Sequence, residues 1–178
     1  MRKGLSVDFD RAGLISLIRN EFKLDWHGVH GANHWARVLS HGKNIGGLRK
    51  ADLMIVELFG FLHDSCRLND GLDPKHGERA AEFCHGIHGD YFQLNAKQLD
   101  KLCYAMRHHS GGEVSDDATI QTCWDSDRLD LGRVGIVPSA LYLSDQASIF
   151  IDLAFDWSRK KSSGDINYIF SNPQDRQT

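Results

Sequence analysis

Histidine and aspartate are the residues of this sequence whose types and spacing could do chemistry. The chain of 178 residues contains ten histidines, and one of them forms the doublet His63-Asp64 at the end of an apolar run. Other candidates stand before and after this doublet: His34, His76, His108, His109 and Asp125. Imidazole nitrogens mixed with carboxylate oxygens suit zinc, manganese, iron, cobalt or nickel better than calcium or magnesium. The set therefore predicts a site for a divalent transition metal.

Asp64 is the member of this set that most needs a positive partner. It follows a segment that is apolar on nearly every face, so its carboxylate meets the negative end of a helix dipole and is removed from water. Two partners could compensate: Arg67, one turn further along the chain, or a metal ion. An isolated aspartate favours the ion pair, whereas histidines spread over several helices favour the metal.

The acidic segment from Asp125 to Asp130 reads Asp-Ser-Asp-Arg-Leu-Asp, and alternating acids are also found in calcium loops. Here Asp130 stands where such a loop needs glycine, and Ile136 stands where it needs glutamate. The EF-hand interpretation therefore fails. We expect one inward-pointing ligand in this segment, while Arg128 and the other acids form local ion pairs.

These residues must be positioned by helices, because no alternating strand pattern longer than four residues occurs. Asp8 or Asp10 is expected to cap the first helix, and Asn33 the second. Apolar spacing predicts helices over 10–24, 33–46, 51–64, 118–129 and 144–157, with others starting near 73 and 95. The chain is therefore predicted to be an all-α single domain of about six or seven helices over residues 1–160, followed by a polar tail over 161–178.

Composition excludes several classes of protein. The formal net charge of −3 provides no basic footprint for an extended nucleic-acid platform. The most apolar stretch, Leu53 to Leu62, has ten residues, whereas a membrane helix needs about 20. The basic start at Met1 is not followed by an apolar run, so we expect a cytoplasmic protein without a signal peptide. The four cysteines form no CxxC pair, and phosphate-loop, HExxH and GxSxG motifs are absent.

The ordered set His34, His63-Asp64 and Asp125 resembles the H…HD…D signature of the HD-domain superfamily of metal-dependent phosphohydrolases. The residues 33–38 resemble the first metal-ligand helix of that family. The residues 125–130 are similar to its DADRLD segment, whose first aspartate binds metal. The resemblance extends over roughly residues 30 to 140 and is carried by three spaced blocks.

The resemblance implies a role for each candidate residue. One metal ion, rather than two, is expected to be held by His34, His63, Asp64 and Asp125. His76 and His109 match positions for a phosphate contact, a proton donor or a second-metal ligand. His108 is the rival of His109, because adjacent residues of a regular helix cannot both point inward. Phosphate contacts are expected from arginines, whose donor forks fit phosphate oxygens: Arg37, Arg67 and Arg128.

Three functions remain open at this stage. The first is a phosphohydrolase that acts on a nucleotide or another small phosphate ester through a metal-activated water. Asp64 or Asp125 would orient this water, and His76 or His109 would protonate the leaving oxygen. The second is a di-iron oxygenase of the same fold, and the third is a catalytically silent protein that binds a ligand or a partner. A small phosphorylated substrate and a possible homodimer are the expected partners, without a membrane.

Overall fold

A computed structural model of the chain describes residues 9–160, and these residues form eight α-helices. The helices are α1 (Arg11–Glu21), α2 (Ala32–Arg49), α3 (Leu53–Leu62), α4 (His76–Ile87), α5 (Ala96–His108), α6 (Ala118–Leu129), α7 (Asp145–Ser148) and α8 (Ile151–Ser158). Two 3-10 helices, Asp130–Val134 and Ala140–Tyr142, connect α6 to α7. Within this described range there is no strand, only isolated bridges, so the all-α prediction is confirmed.

Helix α3 is the centre of the fold. Asp52 starts it by accepting hydrogen bonds from the backbone amides of Met54 and Ile55. Seven of its ten residues are buried, because α2, α5 and α6 all pack against it. Apolar burial on every side is typical of such a helix. Its carboxyl end therefore delivers His63 and Asp64 into the interior of the protein.

Helices α4 and α5 approach each other unusually closely. A Cβ atom placed on Gly77 would lie 2.2 Å from the carbonyl oxygen of Met106. Only glycine allows this contact between the start of α4 and the end of α5. The same contact brings His76, the first residue of α4, next to His109, which follows the last residue of α5.

Several helix boundaries differ from those predicted, and two of the differences have a local cause. Helix α2 begins one residue before Asn33, with Gly31 as its N-cap and no side-chain cap. A Cβ on Gly31 would lie 2.2 Å from the carbonyl oxygen of Trp26, so no capping side chain fits there. The predicted helix over 144–157 is two helices, because the backbone at Phe150 leaves the helical conformation with ψ 0°. The predicted cap of the first helix at Asp10 is confirmed.

The remaining sequence expectations concern the chain as a whole. The predicted polar tail over 161–178 lies outside the described residues. None of the helices within residues 9–160 is both long and apolar enough to span a membrane.

Candidate metal centre

Six side chains from five helices meet at one point in the interior. His34 belongs to the first turn of α2, Asp127 to the last turn of α6, and the other four stand at or just beyond helix ends: His63, Asp64, His76 and His109. All six are buried. Three overlapping groups of them place nitrogen and oxygen atoms within 4.8 Å of one another. The helix ends therefore converge on a cluster of metal-ligand type.

The first part of the cluster is the pair formed by His34 and His63. Their Nε2 atoms lie 3.0 Å apart. Oδ2 of Asp64 lies 3.5 Å from Nε2 of His34 and 3.7 Å from Nε2 of His63. Oδ1 of Asp127 approaches the same two nitrogens to 3.3 and 3.7 Å. Two nitrogens and two carboxylate oxygens thus surround one point.

The second part is the pair formed by His76 and His109, whose Nε2 atoms lie 2.8 Å apart. Oδ1 of Asp64 lies 3.2 Å from Nε2 of His76 and 3.6 Å from Nε2 of His109. The Asp64 carboxylate therefore stands between the two histidine pairs and presents one oxygen to each.

The backbone contacts of three of these histidines fix which ring nitrogen faces the cluster. Nδ1 of His63 lies 3.0 Å from the carbonyl oxygen of Phe59, and Nδ1 of His109 lies 2.7 Å from that of Met106. Nδ1 of His76 likewise faces the carbonyl oxygen of Asp73. A carbonyl oxygen only accepts, so each Nδ1 carries the proton and leaves the lone pair on Nε2. A cation placed between the facing Nε2 atoms would bind these lone pairs.

The carboxylates of the cluster carry the negative charge that a cation would neutralise. Burial alone would raise the pKa of Asp64, but His63 and His109 outweigh it and hold this pKa well below its usual range. The same balance, with His34 and His63 as partners, lowers the pKa of Asp127. Oδ1 of Asp127 is buried and has no hydrogen-bond partner among residues 9–160. The residues present therefore fit a divalent transition metal.

The two histidines of the first pair have opposite pKa shifts. Burial and Arg133 lower the pKa of His34, but the carboxylates of Asp127, Asp130 and Asp64 outweigh them and raise it to about 9. Burial lowers the pKa of His63 to about 3. His34 is therefore the member of this pair that holds a proton near neutral pH when no metal is bound.

Comparison with solved structures finds the same fold elsewhere. The chain is similar to the crystal structure of a predicted HD superfamily hydrolase from an uncultured Thermotogales bacterium, with a TM-score of 0.63 and 22% identity. The similarity covers 82% of this chain and 84% of that chain. The chain has an HD-domain-like fold. No family model matches the sequence, and no curated protein matches it.

Asp125, expected as a metal ligand, does not reach the cluster. Its carboxylate accepts hydrogen bonds from the side chain of Gln121 at 2.7 Å and from the backbone amide and hydroxyl of Ser144 at 3.1 and 2.5 Å. Residues two apart on a helix point about 200° apart, so Asp125 and Asp127 cannot both face the same centre. The structure places Asp127, the other aspartate of the same motif, at the cluster instead of Asp125.

The other histidines and aspartates predicted for the site divide into those that lie in the cluster and one that does not. His34, His63, Asp64, His76 and His109 are brought together as expected. His108 is turned outward, with its side chain 39% exposed and Nδ1 3.8 Å from Oε1 of Glu113. The rivalry between His108 and His109 is therefore decided for His109.

Arg37, predicted as a phosphate contact, does not reach the space beside the cluster. Its Nε and Nη2 atoms donate to Oδ1 and Oδ2 of Asp130 at 2.5 and 3.1 Å. Asp130 also lies 2.7 Å from Nδ1 of His34 through Oδ2. Arg37 is buried against this carboxylate. It is not among the residues that line the pocket beside His76, His109, Asp64 and Asp127. Its guanidinium is already bound by the Asp130 carboxylate, so this placement does not support the predicted phosphate role.

A pocket of about 280 Å³ opens beside the metal-ligand cluster of this HD-domain-like fold. Asp64, His76, His109 and Asp127 contribute to its lining. Arg67 and Arg128, both predicted as phosphate contacts, line it as well, and so does Arg133, which sequence reasoning missed. Arg133 lies beyond α6 in a 3-10 helix, where no periodicity or motif marked it. Three guanidinium groups thus surround the entrance to a cluster of aspartates and histidines.

Proposed function

We propose that this chain is a metal-dependent hydrolase of small phosphate esters. The observation that carries the proposal is the Asp64 carboxylate between two histidine pairs, next to a pocket lined by arginines. The similarity to a predicted HD superfamily hydrolase supports the same reaction class. Phosphate esters suit this pocket because guanidinium groups match phosphate oxygens in charge and in donor geometry.

His34, His63, Asp64 and Asp127 would hold one metal ion. His76 and His109, with the other oxygen of Asp64, would hold a second. The resemblance implied a single ion, held by His34, His63, Asp64 and Asp125. The Asp64 carboxylate lies between the two histidine pairs and has a different oxygen near each pair. This position supports two ions.

When bound, such metal ions polarise the phosphoryl group and make water a nucleophile near neutral pH. The protein supplies the rest. Asp64 and Asp127 remain ionised, so they balance the positive charge of the site. Backbone carbonyls hold the rings of His63 and His109 in one tautomer, with Nε2 directed to the centre. Arg67, 3.4 Å from Oδ1 of Asp64, adds positive charge at the pocket side.

Asp125 and Asp127 provide a matched test of this proposal. Untagged protein purified without chelator is analysed for metals and screened for release of phosphate from small esters. Wild type and Asp125→Asn should hold transition metal and release phosphate, because Asp125 faces Ser144. Asp127→Asn should lose metal and turnover. A wild-type protein that binds no manganese, iron, nickel, cobalt or zinc after reconstitution would overturn the proposal, and so would full activity of Asp127→Asn.

A di-iron oxygenase is the second candidate, favoured by the histidine pair of His76 and His109. With Asp127 in the place expected for Asp125, six protein ligands surround two possible ion positions. This candidate predicts two irons per chain and consumption of oxygen with a small diol or a phosphonate. Phosphate release by the manganese-loaded or nickel-loaded protein without oxygen would decide for hydrolysis.

A further inference from the structure

The three arginines of the pocket differ in the hydrogen-bond donors that they still have available. All three guanidinium nitrogens of Arg67 donate hydrogen bonds to acceptors within the protein. Nε and Nη2 donate to the carbonyl oxygens of Asn69 and Gly71 at 3.4 and 3.0 Å. Nη1 lies 3.4 Å from Oδ1 of Asp64 and 3.2 Å from Nε2 of His76. Arg67 therefore fixes the loop after α3 and holds the ligand residues in place.

Arg128 has both of its terminal nitrogens engaged in hydrogen bonds. Its two terminal nitrogens donate to the carbonyl oxygens of Tyr142, at 2.7 Å, and Glu113, at 2.5 Å. Its guanidinium carbon lies 5.4 Å from the ring centroid of Trp124. These contacts connect two segments of the pocket rim to α6. Arg128 therefore supports the walls of the pocket.

Arg133 has a donor left. Its Nε donates to the carbonyl oxygen of Val29 at 3.0 Å, and its Nη1 to that of Asp130 at 3.2 Å. Within residues 9–160, Nη2 makes no hydrogen bond and has only the carboxylate of Asp127 at 3.9 Å. The side chain is 9% exposed, so this guanidinium is held rigidly at the pocket with one nitrogen unpaired.

We propose that Arg133 binds the phosphate group of the substrate through Nη2, and that the substrate has a single phosphate on an uncharged body. The proposal rests on the phosphohydrolase function given above. Because Nη2 lies next to Asp127, a phosphate held by Arg133 is adjacent to the proposed metal ligands. A guanidinium already fixed by two carbonyl oxygens pays little conformational entropy when it binds an anion.

The substrate is limited to one phosphate group because the pocket offers few hydrogen-bond donors for phosphate oxygens. A phosphomonoester carries a charge of about −1.5 to −2 near neutral pH and has three acceptor oxygens. Proteins that act on triphosphates surround the added oxygens with glycine-rich backbone, lysine and further cations. None of the described residues that line this pocket is a lysine, and among its three arginines only Arg133 has a terminal guanidinium nitrogen that makes no hydrogen bond within residues 9–160. A second or third phosphate would find no lysine and no further terminal arginine nitrogen without a hydrogen bond in this lining.

The other side of the pocket suits an uncharged body. Leu131, Tyr142 and Gly112 line it, together with Ser110 and Ser139. Tyr142 is 47% exposed, so its ring is accessible to a ligand. These groups offer apolar contact and neutral hydrogen bonds. A phosphate monoester of a small organic alcohol fits this chemistry.

Binding of phenylphosphonate, which cannot be hydrolysed at its C–P bond by this chemistry, tests the role of Arg133. Calorimetry is carried out on the metal-loaded full chain with metal content checked in each variant. Arg133→Gln should weaken binding about tenfold to a hundredfold, because a charge-assisted hydrogen bond is lost. Arg159→Gln, which removes the same charge from an exposed arginine on Phe155, should bind as wild type does. Unchanged affinity in Arg133→Gln would overturn the assignment.

A second measurement does not depend on how well a variant folds. The wild-type protein is given one nucleoside as its 5′-monophosphate and as its 5′-triphosphate, and kcat/KM is compared. The monophosphate should be used at least about tenfold better. Turnover that favours the triphosphate would overturn the single-phosphate inference and leave the phosphohydrolase standing. Absence of turnover with every ester, in protein that holds metal, would overturn the proposed function itself.

Discussion

Oδ2 of Asp130 lies 2.7 Å from Nδ1 of His34, and both side chains are completely buried. The other ring nitrogen of His34 faces His63 and the two carboxylates of the cluster. Asp130 therefore decides which nitrogen of His34 carries the proton and orients the ring. Arg37 holds the same carboxylate with two hydrogen bonds. Arg37, Asp130 and His34 thus form a chain of three buried groups that ends at the cluster.

We expect Asp130→Asn to weaken metal binding about tenfold to a hundredfold, because a ligand histidine loses the carboxylate that fixes its tautomer. Asp130 is a positioning residue, so the protein should still bind metal at a higher concentration. Titration with manganese or zinc, followed by calorimetry, measures the shift. Metal affinity equal to wild type would show that the backbone alone orients His34. Thermal unfolding of the variant serves as the control for its folding.

Two glycines of α4 give a matched pair of variants. In Gly77→Ala the new methyl group would meet the carbonyl oxygen of Met106 at 2.2 Å. We expect a loss of about 1–3 kcal/mol in the free energy of unfolding, since backbone must move, and weaker metal binding at His76 and His109. In Gly86→Ala the methyl group meets nothing within 4 Å.

Gly86→Ala should therefore stabilise the protein by about 0.5–1 kcal/mol, because alanine has a higher helix propensity than glycine. Denaturant unfolding of both variants, with metal content, checks the pair. Equal stability of the two variants would contradict the close packing of α4 against α5.

The adjacent residues His108 and His109 provide a test of the second ion. His109 is buried next to His76 and Asp64, so His109→Ala should lower the metal content by about one ion per chain if two are bound. His108 is exposed beside Glu113, and His108→Ala should keep the full content. Elemental analysis of both variants gives the answer. A wild-type content of one ion that His109→Ala leaves unchanged would restore the single-ion site expected from the sequence.

His41 should make stability depend on pH. Burial lowers the pKa of His41 from 6.5 to about 4. Between pH 6.5 and about pH 4, His41 is protonated in the unfolded chain but neutral in the folded chain. The contribution of His41 to stability is therefore complete above pH 6.5 and is lost as the pH falls toward 4. The loss from this group amounts to about 3 kcal/mol, at 1.36 kcal/mol per pKa unit.

The measurement is denaturant unfolding at several pH values in wild type and in His41→Phe, which keeps a ring against Trp157. The variant should show a flatter profile over the same range. Parallel profiles for the two proteins would assign the acid sensitivity to other groups. The sign is also checked, because a rise in the relative stability of wild type on acidification would contradict a buried neutral His41.

Local chemistry made much of this fold predictable from sequence. The apolar run at 53–62 predicted a helix buried on every side, and Asn95 predicted the start of α5, where it forms a capping box with Gln98. The long segment over 144–157 was less informative, because one apolar pattern suits a continuous helix and also two short ones. Arg133 carried no local signal, since its position depends on Val29, a residue distant in the chain.

The sequence by itself determined an all-α chain and a set of histidines and aspartates in the order of the HD signature. Residue types and apolar spacing are local properties, so they can be read without a structure. Only the tertiary structure decided between Asp125 and Asp127 and between His108 and His109. Both decisions depend on the rotation of a helix against its neighbours. A difference of one or two residues turns a side chain by about 100° or 200°, which separates a metal ligand from a surface residue or a structural hydrogen bond.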